Sequence, residues 1–321
     1  MINDLLQSLK FVKGSVASKE FVEGLTHFKI ENGYVRGFNG TFALCAPVDT
    51  DLNCTPHALD LVKAIEKCED AVQMTMLPNG KLNIKSGKFK VNINTLDKLT
   101  PHVVPEGEQF VINGHVFMQA LNSLKPFIST DASRPWSCGV LVTPTSAYAT
   151  NNVTAAEYWL GNGFPHNFVL PSQAVRELLK IKEDPIGCTL SDTSVTFHFE
   201  GDRWLRTQLL HAEEWPNLSK IIDGEFNYKV VDSTLFDALD SIKPFADKNA
   251  NAYIENGTVR THFDESEGAS YNINDSSIQG VWRIEILQSL KGVAEQIHFG
   301  YPGKSSFIAQ NLRGVFMGIR I

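Results

Sequence analysis

Cysteine is scarce and scattered in this chain. The five residues, Cys45, Cys54, Cys68, Cys138 and Cys188, are odd in number and never form a C-x-x-C pair. That usage argues against a disulfide framework and a thiolate zinc site, and suits a reducing compartment. No apolar run approaches the roughly 20 residues needed to span a bilayer. Met1-Ile2-Asn3-Asp4 opens no basic stretch followed by an apolar core, so a secretory signal is not expected. Catalytic signatures are missing too. There is no G-x-x-x-x-G-K-[ST] phosphate loop, no G-x-G-x-x-G after a strand, no H-E-x-x-H and no G-x-S-x-G. Gly303-Lys304-Ser305 has the letters of a phosphate-loop tail, but its upstream glycine is misplaced and no helix follows. The nine histidines are dispersed, with His57 and His115 near helix starts. The expectation is a cytoplasmic protein that is not an enzyme, needs no cofactor or metal, and does not contact a membrane.

What the chain does have is a helix written three times. Leu5-Leu6-Gln7-Ser8-Leu9-Lys10-Phe11 returns as Ala120-Leu121-Asn122-Ser123-Leu124-Lys125-Pro126-Phe127, and again as Ala238-Leu239-Asp240-Ser241-Ile242-Lys243-Pro244-Phe245. The interval is a domain's length and too long for a solenoid repeat. A second helix and strands follow each copy. In the first repeat the helix spans His57–Lys67. The runs Val72–Leu77 and Lys81–Lys85 follow, joined at Pro78-Asn79-Gly80, where Asn-Gly signals a hairpin. In the second, helix Ser172–Lys182 precedes strands at Cys188–Leu190, Val195–Phe199 and Trp204–Leu210. In the third, helix Arg283–Lys291 precedes Gln296–Phe299, Ser306–Ile308 and a closing strand Val315–Ile321. Gly87, Gly201, Gly303 and Gly314 read as breaks between strands. A chain of 321 residues, 43% hydrophobic and 20% charged, can bury two or three ordinary cores.

Charge adds a direction. Lys and Arg number 29 against 36 Asp and Glu, a net charge of −7, so the chain as a whole should not adhere to nucleic acid. The repeated helices nevertheless carry bases away from their apolar stripes. Ile2, Leu5, Leu6 and Leu9 share one face of the first helix, which leaves Lys10 and Lys13 off it. Lys63 and Lys67 lie four residues apart on the next helix, as do Arg176 and Lys180 later. Lys125, Lys243, Arg283 and Lys291 complete the set. Acidic residues gather instead at Asp49-Thr50-Asp51, Glu183-Asp184, Glu213-Glu214 and Asp264-Glu265-Ser266-Glu267. This layout suits helices gathered around DNA while the rest of the molecule faces water.

Four segments, in order along the whole length, resemble the β sliding clamp of bacterial replication, a DNA polymerase processivity factor also found in phage. Gly139-Val140-Leu141-Val142 with Tyr148-Ala149-Thr150-Asn151 is similar to that family's middle-domain hairpin. Phe168–Leu179 is similar to its Val-Pro-Arg-Lys-Ala-Val-x-Glu-Leu segment. Glu214-Trp215-Pro216-Asn217-Leu218 is similar to the Phe/Tyr-Pro-Asp-Tyr that ends the middle domain. Phe316-Met317-Gly318-Ile319-Arg320-Ile321 resembles the closing Met-Pro-Met-Arg-Leu. Two departures stand out. The family's Asp-Gly-His-Arg-Leu is Asn151-Asn152-Val153-Thr154-Ala155 here, without histidine or arginine, and the terminal proline is Gly318.

The resemblance implies an α+β fold of three clamp domains, 1–105, 106–224 and 225–321. Each would carry two helices on antiparallel sheet, and the three together would form half of a ring. It implies a homodimer encircling double-stranded DNA without regard to sequence, tethering a DNA polymerase, and opened by a separate clamp loader. The ten bases named above would face the DNA. Thr150, Ala155, Met317, Ile319 and Arg320 would line the partner-peptide pocket, with Trp136 and Phe307 added by proximity to those motifs. Met317 and Ile319 alternate along the closing strand and should share a face. Two readings compete: a trimeric clamp built from two domains per subunit, against which the three repeats argue because three subunits of this chain would give nine domains, and a non-replicative structural or assembly protein whose domains are triplicated for symmetry alone.

Overall fold

The computed structural model describes residues 2–69, 71–97, 103–211, 215–264 and 266–320. The acidic pair Glu213-Glu214, Glu265 and the last residue, Ile321, lie outside these. Along the chain, the first sequence repeat contains α1 (Ile2–Val12), β1 (Lys29–Glu31), β2 (Tyr34–Phe38) and β3 (Phe42–Pro47). It continues with α2 (Ala58–Glu66), β4 (Gln73–Met76), β5 (Leu82–Ser86) and β6 (Phe89–Ile93). The second contains β7 (Glu108–Phe110), α3 (Gly114–Leu124), β8 (Gly139–Val142), β9 (Ser146–Thr150), β10 (Thr154–Trp159) and β11 (Phe168–Pro171). After α4 (Ser172–Ile181) come β12 (Gly187–Leu190), β13 (Ser194–Phe199) and β14 (Arg203–Gln208). A short helix, α5 (Leu218–Ile222), leads to β15 (Lys229–Val230), α6 (Ser233–Ile242), β16 (Asn251–Glu255), β17 (Thr258–Arg260) and β18 (Ser270–Asn272). The chain closes with β19 (Gly280–Arg283), α7 (Ile284–Gln288), β20 (Gln296–His298), β21 (Lys304–Ala309) and β22 (Leu312–Met317).

These elements form two compact units, Met1–Met118 with Gln173–Leu209, and Gln119–Ser172 with Leu210–Ile321. The first holds a seven-stranded sheet, β1-β2-β3-β14-β13-β12-β7, and a three-stranded one, β4-β5-β6. The second holds an eight-stranded sheet, β11-β8-β9-β10-β22-β21-β20-β15, and a four-stranded one, β18-β17-β16-β19. The sheets do not respect the sequence repeats. Pairing of β3 with β14 joins strands of the first and second repeats, and pairing of β10 with β22 joins the second and third. That is why the compact units cut across the repeats.

The helices form where apolar residues recur at helical spacing. In α1, Leu9 and Val12 are fully buried, and the helix packs on β2, β3 and α2. In α2, Leu61, Val62, Ala64 and Ile65 turn inward. Pro126 and Pro244 explain how α3 and α6 end. Each lies in a short 3-10 turn, Lys125–Phe127 or Lys243–Phe245, because proline cannot continue the α ladder. The first repeat has Phe11 after its lysine, with no proline, and α1 runs on to Val12 before its own 3-10 turn at Lys13–Ser15.

Three expectations need correcting. Helix Arg283–Lys291 is shortened to Ile284–Gln288: Arg283 ends β19, and a 3-10-like turn leads to Gly292, whose φ of +70° stops the helix. Gly314 is no break, since it lies within β22 opposite Phe307. The closing strand begins earlier and stops at Met317. Residues 318–320 leave it, and Ile319 N donates to Val281 O of β19 at 2.7 Å.

Candidate functional site

All ten basic positions are exposed, but their surroundings differ between repeats. In the first unit, Lys63 and Lys67 lie opposite the buried stripe of α2 and carry no ion pair among the described residues, and neither does Lys13 just beyond α1. Lys10 reaches Glu66 of α2 at 3.1 Å. On α4, Arg176 and Lys180 are exposed while Glu177, between them, is buried and accepts from Lys180 Nζ at 2.9 Å. Gly14 is what lets that carboxylate in: a Cβ there would sit 1.9 Å from Glu177 Oε1. Lys125, just beyond α3, is exposed as well.

In the second unit two bases of the third repeat are already engaged, while Arg283, exposed at the end of β19, carries no ion pair among the described residues. Lys291, beyond the end of α7, bonds Asp240 Oδ2 at 2.6 Å, and Lys243 donates to Gln288 Oε1 at 2.8 Å. The hydrogen bond from Lys291, then that from Gln288, holds the Asp240 carboxyl below the usual range, and the Lys291 ammonium is raised in return. Asp237 shares α6 with Asp240, and Glu285 lies on α7. The third repeat therefore sets Asp237, Asp240 and Glu285 against its bases, and the first sets Asp4, Asp60 and Glu66 against its own, whereas the second has only Glu177 on α3 and α4.

The residues expected in a partner pocket divide between two faces of the eight-stranded sheet. Register places Thr150 opposite Ala155 and Ala155 opposite Val315, with Met317 two residues further on the same side. Thr150 and Ala155 are buried and Met317 is 41% exposed, its amide donating to Val153 O at 3.2 Å. Trp136 is half-buried and meets Trp215 edge to face, ring centres 5.3 Å apart. Trp215 in turn packs on the core formed by Ala155, Val315, Leu218 and Ile222. Phe307 is elsewhere: it is opposite Gly314, wholly buried, and packs on Phe127 and Phe316 on the other face. Ile319 does not share a strand with Met317, because the tail has turned to β19, and Arg320 is exposed beyond it.

The reading of sequence missed α5, which covers this face. Asn217 caps it, the side-chain oxygen accepting from Lys220 N at 3.2 Å, a signal present in the letters Asn-Leu-Ser-Lys-Ile-Ile. Beneath it lies an ionic network. Glu157 of β10, only 8% exposed, accepts from Tyr148 Oη and from Arg313 Nε, each at 2.6 Å. Burial first, and the bond to Glu157 second, push the Tyr148 phenol up to about 12. Burial works against the Arg313 charge, but its bonds to Glu157 and Asp223 outweigh that and raise its pKa.

Other candidates resolve into structure. Lys304 sits in β21 and donates to Ile221 O and Asp223 O, so Gly303-Lys304-Ser305 builds no phosphate loop. Glu183 takes a bidentate pair from Arg203, and Asp184 bonds His115, so this acidic pair is partnered rather than merely solvated. His57 bonds Asp60 at 2.8 Å. Burial raises the thiols of Cys45 and Cys54 to about 11 and that of Cys188 to about 12, which leaves them protonated. Among the described residues no group of three His, Cys, Asp or Glu could hold a metal ion, and no helix is long and apolar enough to cross a membrane.

No family model matches the sequence, and no curated protein does. In fold the chain is similar over its whole length to solved structures. One is the DNA polymerase sliding clamp from Bacillus subtilis, with a TM-score of 0.83 and 16% identity, 98% of that chain being covered. A second is the DnaN sliding clamp (DNA polymerase III subunit beta) from Pseudomonas aeruginosa bound to griselimycin, at 0.82, 18% and 98%. A third is the beta subunit from DNA polymerase of Streptococcus pyogenes, at 0.82, 17% and 98%. The fold is that of the sliding clamps: helices and several antiparallel sheets arranged as in those proteins.

Proposed function

We propose that this chain is a DNA sliding clamp, a processivity factor that encircles duplex DNA and tethers a replicative polymerase. The observation that carries the reading is the likeness of fold to DNA polymerase sliding clamps along 100% of the chain. The threefold repeat supports three clamp domains, 1–105, 106–224 and 225–321, as half of a ring. Exposed bases on the repeated helices support contact with phosphates, which is independent of sequence and permits sliding. A closed ring keeps its polymerase at high effective concentration by topology alone. Loading onto DNA would be the work of a separate loader.

Two short sheets support closure by a second copy. Among the described residues, β4 in the first unit and β18 in the second each leave one edge unpaired. Paired across protomers, the three-stranded and four-stranded sheets would make one of seven strands, the size of the sheet inside the first unit. Apolar surface lies near both edges. Ile2, Leu5, Val48, Val72 and Met74 line a cavity of about 220 Å³ beside β4. Tyr271 of β18 and Phe263 in the connection before it are 40% and 71% exposed. Closure would also hide edges that otherwise invite aggregation.

The test combines mass photometry with primer extension. A dimer at micromolar concentration, and longer products on circular than on linear templates, are expected with a loader and polymerase present. A stable monomer or trimer, or equal stimulation on open-ended DNA, would exclude the ring. Phe263→Asp should shift the protein to monomer without unfolding it.

A further inference from the structure

We infer that Arg313 is the positioning residue of the proposed partner surface, clamping α5 onto the β10–β22 ladder; this rests on the reading of that face as the partner site. A five-residue helix has no stability of its own, since isolated helices are marginal below about 12 residues. Two inward side chains, Leu218 and Ile222, attach α5 to Ala155 and Val315. The remaining attachments come from two cations of neighbouring strands. Arg313 Nη1 donates to Asp223 Oδ1 at 2.7 Å, just past the helix, and Nη2 donates to Ser219 Oγ at 3.2 Å. Its Nε holds Glu157, so one planar guanidinium ties the buried acid of β10 to both turns of α5. Lys304 Nζ meets the C-terminal carbonyls of Ile221 and Asp223 at 2.8 and 2.7 Å, where the helix end favours a cation.

What α5 positions is the exposed apolar part of the face. Ile221 is exposed on it, and Trp215, two residues before its cap, rests against Trp136. Lys304 is the register partner of Met317 while its ammonium holds Ile221 O. The exposed Met317, the exposed Ile221 and the Trp136–Trp215 pair therefore keep their spacing only while α5 stays seated. Lysine in place of Arg313 could hold one acceptor but not span three, because only the guanidinium presents a fixed fork of donors.

The experiment uses the full chain. Arg313→Met alone leaves Glu157 buried without its cation, so Arg313→Met/Glu157→Gln is measured beside it, with Arg313→Lys as the conservative variant. Hydrogen exchange of the free protein reads the clamp directly, and titration of a fluorescein-labelled polymerase C-terminal peptide reads its consequence. In the double variant the α5 amides should exchange at least ~10-fold faster while those of β21 and β22 keep their protection. Peptide affinity should fall by a similar factor, and Arg313→Lys should recover part of both. Unchanged α5 exchange would overturn the inference, as would faster exchange with unchanged peptide affinity. If the wild-type protein binds no peptide at all, the partner reading fails, and the exchange measurement alone decides what Arg313 does.

Discussion

Phe307 lies across the β21–β22 ladder from Gly314, so close that a Cβ built on the glycine would sit 2.2 Å from the ring's Cζ and 2.7 Å from Ala155 O. The glycine is there for the ring. Gly314→Ala should therefore force the ring or the strand aside, at a cost of about 1–3 kcal/mol. Gly163→Ala, where a Cβ meets nothing within 4 Å, is the control and should be near neutral. Urea denaturation of both variants checks this; a Gly314→Ala protein as stable as wild type would mean that the ring moves freely.

The DNA reading separates the repeats. Charge reversal at Lys125, exposed beyond α3, should weaken retention on circular DNA more than reversal at Lys243, which is held by Gln288 and has the Asp240 carboxylate close by. Exposed pairs such as Lys10–Glu66 contribute roughly 0–1 kcal/mol, so Lys10→Glu should leave the fold intact. Retention measured against salt supplies the comparison. Equal losses from the two reversals would show that the balance of charge in the third repeat is irrelevant.

Much of the fold was legible because it rests on local pattern. The helical stripes of α1 to α4 and α6, and the hairpin at Asn79-Gly80, follow from spacing and turn chemistry. One further repeat is present in the letters: Glu31-Asn32-Gly33-Tyr34-Val35-Arg36 and Glu255-Asn256-Gly257-Thr258-Val259-Arg260. Both Asn-Gly pairs adopt positive φ, and each turn brings its Arg toward its Glu, at 4.0 Å and 3.2 Å. Non-local facts were not legible. No spacing announces that β10 pairs with β22, or that Asp240 meets Lys291 on a different element. Alternation along β21 distinguishes two faces but not which one is outside, which is how a core residue, Phe307, resembled a pocket residue. The helix α5 is too short for periodicity, and its attachments come from β21 and β22.

Acid should weaken the fold in part through His198. Its imidazole is half-buried, Nε2 lies 2.7 Å from Thr189 Oγ1, and burial depresses its pKa below 6.5. Below that value the unfolded chain binds a proton that the folded chain resists, so stability falls as pH drops from 7 toward 5. His198→Asn should flatten that part of the slope. Denaturation midpoints at pH 7, 6 and 5 measure it, and a slope unchanged by the substitution would assign the loss to other groups.

The partner site calls for a point substitution rather than truncation. Removing residues 318–321 would take away the bond from Ile319 N to Val281 O. It would also take Gly318 from its place against Tyr301 and Trp282, where even a Cβ would come within 2.9 Å of the Tyr301 ring. Loss of polymerase stimulation by such a truncation would therefore mix a binding defect with damage to the edge of the four-stranded sheet. Met317 is cleaner. It is exposed at the end of β22, beside Val153 and on the face of Ala155, so Met317→Ala opens no cavity. If an apolar anchor of the partner peptide seats there, affinity should fall about tenfold, or ~1.4 kcal/mol, with thermal stability unchanged. Phe307→Ala supplies the contrast, because truncating a buried phenylalanine costs about 3–5 kcal/mol wherever the peptide binds. Asn151–Ala155 lacks the histidine and arginine of the clamp motif it resembles, which further predicts that binding depends little on salt. Titration of the labelled polymerase peptide against wild type and Met317→Ala decides the matter; equal affinities would place the partner site away from this face.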